Sequence, residues 1–191
     1  MIVRQKYGGA PWLYDESTGD IVGVKDPDGS EFIWARAANF SLLRDMSDQT
    51  TTSNTPTAIE FDTTVIENGI TVVDNSKLVF ARGGKFYFSL TAQLFNVNTS
   101  IKDMYLWGRL NGTDLPGTTT RVCVTESHGG EPGAVVLQRG YFAPVSAGDH
   151  IEVMWMVESG DVSLKAQAAV VGPPALPSGP SVALAIFEVG V

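Results

Sequence analysis

Residues 58–94 read AIEFDTTVIENGITVVDNSKLVFARGGKFYFSLTAQL, and this stretch decides the fold class. From Gly84 onward, Phe86, Phe88, Leu90 and Ala92 alternate with Tyr87, Ser89, Thr91 and Gln93. A period of two sends one row into a core and the other outward, which is the mark of a half-buried strand. Upstream, Asn68-Gly69 separates TTVI from ITVV. A two-residue Asn-Gly loop matches the twist of paired strands, so the spacing predicts a hairpin over 63–73. Asp74-Asn75 marks a second turn before LVFA.

The same punctuation continues in both directions. MYLWGRL, 104–110, runs into a second Asn-Gly pair at Asn111-Gly112, and RVCVTE sets Arg121, Cys123 and Thr125 against Val122 and Val124. Further strands are expected over 134–142, 149–157, 162–169 and 181–189. The proline-rich VVGPPALPSGP before the last of these cannot pair in a central strand. DQTTTSNTPT, 48–57, has no periodicity and reads as a loop. ARAANFSLLRDM, 35–46, fits either a short helix or a first strand. About ten strand candidates and no helix beyond two turns make the chain all-β.

Residues 1–36 have a different character, with WLY, DIVGV and EFIW separated by ESTG and DPDG. Both spacers are ordinary turn chemistry, which predicts a three-stranded meander too small to bury a core of its own. Its aromatic residues Tyr7, Trp12, Tyr14, Phe32 and Trp34 are therefore candidates for an anchor on a larger partner, since large amphipathic rings carry interface energy. A plainly packed N-terminal strand is the competing reading. The expected organisation is an anchoring segment over 1–36 and a main domain over 37–191.

Composition narrows the function. A net charge of −8 argues against nucleic acid, whose phosphates demand clustered Lys and Arg. No apolar run approaches the roughly 20 residues of a membrane span, so no membrane insertion is expected. Cys123 is the sole cysteine, which leaves no disulfide framework and suggests a buried strand thiol. His128 and His150 are the only histidines, a thin supply for a zinc site or for His-based catalysis. DPDGSE resembles the start of a calcium loop but lacks the later ligands and the closing Glu. Arg82-Gly83-Gly84-Lys85 lacks the frame of a phosphate loop, and no GxSxG elbow occurs. The expectation is a non-enzymatic protein without cofactor or metal.

The order of LVFARGGKFYFSLTAQL, GDHIEVMW and SVALAIFEV resembles the jelly roll shared by the globular heads of the first complement component and by tumour necrosis factor. Gly84, Phe86 and Phe88 match its Gly-x-aromatic-x-aromatic strand, and Gly148-Asp149 matches the turn that opens a late core strand. WGRLNGTDLPGTTTRV followed by PSVALAIFEV looks similar to the version carried by tailed-phage virion proteins. The resemblance spans roughly residues 40 to 191. It implies a jelly-roll β-sandwich that assembles as a homotrimer and is made in the host bacterial cytoplasm for the virion. There it would serve as a capsid decoration or short head-fibre protein held by the major capsid protein or another virion protein. The alternative is a receptor-binding module at a tail-fibre tip, recognising a host cell-surface glycan or protein. Phe86, Phe88, Leu90, Val153 and Trp155 are expected in the core. Tyr87, Met104, Leu106, Met154 and Met156 are expected on outward rows, where their apolar bulk would favour burial between subunits.

Overall fold

The structure, a computed structural model, describes the backbone of four short strands within residues 1–38 and the whole of residues 39–190. The chain divides into two compact units, Met1–Ala38 and Asn39–Val191. In the first, β1 (Val3–Gln5), β2 (Trp12–Asp15), β3 (Ile21–Lys25) and β4 (Glu31–Ile33) form an antiparallel sheet in sequence order. The meander therefore has four strands, not the expected three. Val3–Gln5 went unread because three residues are too few to display a period.

The second unit continues with β5 (Phe40–Asp45), β6 (Gln49–Thr50), β7 (Thr57–Ala58), β8 (Thr63–Asn68), β9 (Ile70–Val73), β10 (Lys77–Phe80) and β11 (Gly84–Asn96). After these come β12 (Lys102–Leu110), β13 (Thr113–Asp114), β14 (Thr120–Val124), β15 (Gly133–Val145), β16 (His150–Val157), β17 (Val162–Leu164) and β18 (Val182–Gly190). No helix occurs among the described residues, and the described part of 35–46 carries the strand β5, Phe40–Asp45. Two antiparallel sheets pack as a β-sandwich. One runs β6-β17-β11-β18-β5-β8 with β15 on the other side of β11. The second runs β13-β12-β16-β10-β9, with β14 beside β12 and β7 beside β16.

The core between the sheets follows the alternation. Phe86, Phe88, Leu90, Ala92 and Leu94 of β11 are buried, as are Ile151, Val153, Trp155 and Val157 of β16. The five expected core residues are all there. An aromatic cluster fills the middle: Phe88 stacks on Tyr141 with ring centroids 4.9 Å apart, and Phe80 meets Phe86 edge-on at 4.7 Å.

The two Asn-Gly pairs behave differently. Asn111 and Gly112 both take positive φ, 49° and 81°, and join β12 to β13 as a tight hairpin with Leu110 opposite Thr113. At the other pair Asn68 stays in β8, and only Gly69 turns, at φ 71°. The hairpin expected over 63–73 does not form: β8 pairs with β5 in one sheet and β9 with β10 in the other. A side chain at Gly69 would meet Asn39 Oδ1 at 2.2 Å, so this glycine makes a packed corner between sheets. The hairpin lies one turn later, where Asp74 and Asn75 take φ 51° and 60° and Val73 faces Lys77.

Other corrections concern phase and length. Met104 and Leu106 point into the core, because β12 carries Tyr105, Trp107 and Arg109 outward instead. Met154 lies on an outward row yet is buried, flanked in register by Trp107 and Ala58. Tyr87 and Met156 are half-buried on outer faces. The strand expected over 162–169 stops at Leu164. Residues 49–50 and 57–58, expected as loop, add the two-residue strands β6 and β7.

Cys123 is exposed, not buried, because Val122 and Val124 take the inner side of β14. The Asp103 carboxylate beside the thiol, then burial, raises its pKa above the ordinary thiol value. This keeps it a poor nucleophile.

Candidate functional site

Of the residues expected to anchor the chain, Trp12 and Tyr14 fall on β2 and Phe32 on β4, while Tyr7 and Trp34 lie outside the described residues. Backbone register places Trp12 opposite Val24 and Val24 opposite Phe32, so the three share one row across the meander. Tyr14 pairs with Arg4 on one side and Ile21 on the other.

Both outer faces of the sandwich carry apolar side chains, Tyr105, Trp107, Met154 and Met156 on one and Phe40, Tyr87, Phe142 and Phe187 on the other, but Phe142 and Phe187 are the more exposed. On the sheet centred on β16, charges are held in pairs. Asp114 accepts hydrogen bonds from Trp107 Nε1 and Arg109 Nε, both at 2.8 Å, and Asp103 accepts one from Arg121 Nε at 2.8 Å. On the sheet centred on β11, two adjacent outward rows carry no charge, between rows that contain Lys85 and Arg44. One row, read across five strands, is Phe142, Tyr87, Phe187, Phe40 and Asn68. The next is Gly140, Ser89, Ala185, Leu42 and Ile66. Neither row contains a charged residue. Phe142 is 71% exposed and Phe187 50%, and the Tyr87 ring leans against Phe142 at 4.9 Å. Tyr87 also covers Gly140, where an added Cβ would lie 2.2 Å from its hydroxyl. This is a preformed, contiguous apolar surface of the kind that marks an interaction site.

Two clefts open on this unit, one beside β17 and the end of β11 and the other, the more polar, between β6 and β7. A cleft of about 470 Å³ is lined by Asp48, Phe95, Lys165 and Gln167, and one of about 210 Å³ by Gln49, Thr50, Thr57, Glu60 and Trp155. Lys165 pairs with Asp48 and is the first cause of the lowered Asp48 pKa. Trp155 is fully buried, and its Nε1 has no protein acceptor. Among the described residues no three His, Cys, Asp or Glu side chains gather as a metal site would require.

Hydrogen bonds depress several carboxyl pKa values. Asp103 is lowered first by Arg121, Asp114 first by Trp107, Asp149 first by the Ser146 N–H and Asp161 first by Asn98. A carboxyl with a depressed folded-state pKa stabilises the fold above its unfolded value, near about 3.9. That contribution disappears as pH falls through the folded value. The melting temperature should therefore hold from neutrality to about pH 4 and fall progressively below it. A thermal melt series that stays flat down to pH 2 would show that these contacts contribute nothing.

Tyr141 supplies the reverse case. Its hydroxyl is buried without a protein acceptor, and burial alone drives its pKa strongly upward. Tyr141→Phe keeps the stacking on Phe88 and removes the orphaned group, and is expected to raise stability by about 1 kcal/mol. A lowered melting temperature would mean that the hydroxyl is satisfied, for example by a bound water.

Comparison with protein families and with curated proteins finds no match to this chain.

Proposed function

We propose that the protein is a non-enzymatic structural component of a tailed-phage virion, a trimeric capsid decoration or short head-fibre protein attached through residues 1–38. The single observation that supports this best is the uncharged row Phe142–Tyr87–Phe187–Phe40 on one outer face, set against an ion-paired opposite face. A monomer gains nothing from an aromatic row in water, whereas three copies sharing that face would bury it. The strand order supports a jelly-roll reading: β5-β18-β11-β15 on one sheet faces β10-β16-β12-β14 on the other, with the chain crossing between sheets. The separate N-terminal meander supports the anchoring role. Three copies of it on one trimer would bind with linked affinity.

A second reading, the receptor-binding tip, draws on the polar cleft beside β6 and β7. The carboxylate, amide and hydroxyl groups that line it suit a hydroxyl-rich ligand such as a cell-surface sugar. The experiment mixes labelled full-length chain with virions lacking it and, separately, with host cells. Attachment to particles, lost on deletion of residues 1–38 while the trimer persists, is the expected result. Binding to cells alone would favour the second reading, and binding to neither would reject both.

A further inference from the structure

Residues 166–187 contain no charged side chain, and residues 167–178 are exposed throughout. They are nonetheless ordered as a hairpin arm. Gln167 and Gly179 exchange backbone hydrogen bonds at 2.9 Å, and Val170 and Leu176 exchange a second pair at 3.0 and 3.1 Å. Its root is fixed where Gln93 Nε2 donates to Pro180 O at 2.6 Å. These four backbone hydrogen bonds hold the arm together while Val171, 98% exposed, and Leu176, 54% exposed, stand in solvent. Pro173 and Pro174 at its tip, and Pro177 beside Leu176, have no N–H to offer, which disfavours adding a strand there.

Gln93 is an outward residue of β11, in the same column as Tyr87 and Ser89. The arm therefore springs from the sheet that carries the apolar rows, yet leaves Phe142 and Phe187 uncovered in its own subunit. With a net charge of −8 per chain, copies repel one another wherever charged surface meets. The arm and the Phe142–Phe187 rows are uncharged surfaces rooted on the same sheet, so either can meet a neighbouring copy without opposing like charges.

We propose that each arm, 167–178, crosses to a neighbouring copy and packs Val170, Val171 and Leu176 over that copy's Phe142 and Phe187. This rests on the trimer reading and specifies how the trimer closes. Two measurements on the full chain test it. Light scattering compares the wild type with Val171→Asp/Leu176→Asp, and a photo-reactive benzoyl-phenylalanine at position 171 reports what the arm touches. The expected results are a wild-type mass of three 20.4 kDa chains, at least about tenfold weaker association of the Asp variant with its β-type circular dichroism intact, and cross-links between chains onto peptides containing Phe142 or Phe187. A wild-type mass of one chain would reject the trimer itself. A trimer indifferent to the Asp pair, or cross-links within one chain or from arm to arm, would overturn the arm's placement and leave the trimer standing. If the Asp variant loses its β spectrum, the cross-link, made in the otherwise native chain, decides alone.

Discussion

Phe88→Ala is expected to destabilise the Asn39–Val191 unit by about 3–5 kcal/mol, among the largest losses that truncating one core side chain produces. The ring is fully buried, stacks on Tyr141 at 4.9 Å and lies 6.2 Å from Phe80 in a T-shaped contact. Its removal loses the transfer energy of a large side chain. It also leaves a cavity that Tyr141 and Phe80 cannot fill, since each is held by its own strand. For a domain of this size, such a loss lowers the melting temperature by roughly 6–20 °C. A thermal melt within a degree or two of the wild type would mean that the sandwich does not close around this ring.

The second large effect concerns association. Phe142→Asp combined with Phe187→Asp should dissociate the trimer more than about a hundredfold without unfolding the subunit. Both rings are largely exposed in the single chain, so the fold loses little when they go. In the proposed trimer each would be a desolvated aromatic anchor. Losing one such anchor typically costs about 2 kcal/mol or more, and a carboxylate buried beneath an uncharged arm would have no partner. Sedimentation of the variant at micromolar concentration should give one chain where the wild type gives three. Equal masses for the two proteins would place the subunit contact elsewhere.

The core was legible because β11 and β16 are long enough for alternation to show, and Phe86, Phe88, Val153 and Trp155 fall in phase along them. In β12 the alternation was equally visible, but both rows are apolar: Met104 and Leu106 compete with Tyr105 and Trp107, and local pattern alone does not assign the inner side. Asn68-Gly69 misled for a related reason. The dipeptide permits a hairpin, but whether β8 and β9 pair or part depends on β5 and β10, which are remote in sequence. Cys123 followed its strand partners Val122 and Val124 and not the general habit of free thiols.

The candidate face was the least legible feature. Phe40, Tyr87, Phe142 and Phe187 come from four segments spread over nearly 150 residues, and only the register of β5, β18, β11 and β15 makes them one row. Each taken alone is an ordinary exposed ring. The arm was visible only as a proline-rich loop, because its hairpin is defined by two backbone pairings and not by alternation.

The most direct test of the central claim, that this chain is a trimeric component of a phage head, is electron microscopy of virions labelled with gold-conjugated antibody against residues 39–191. Gold distributed over the heads is the expected result. Gold confined to tail tips, or particles that carry none, would contradict it.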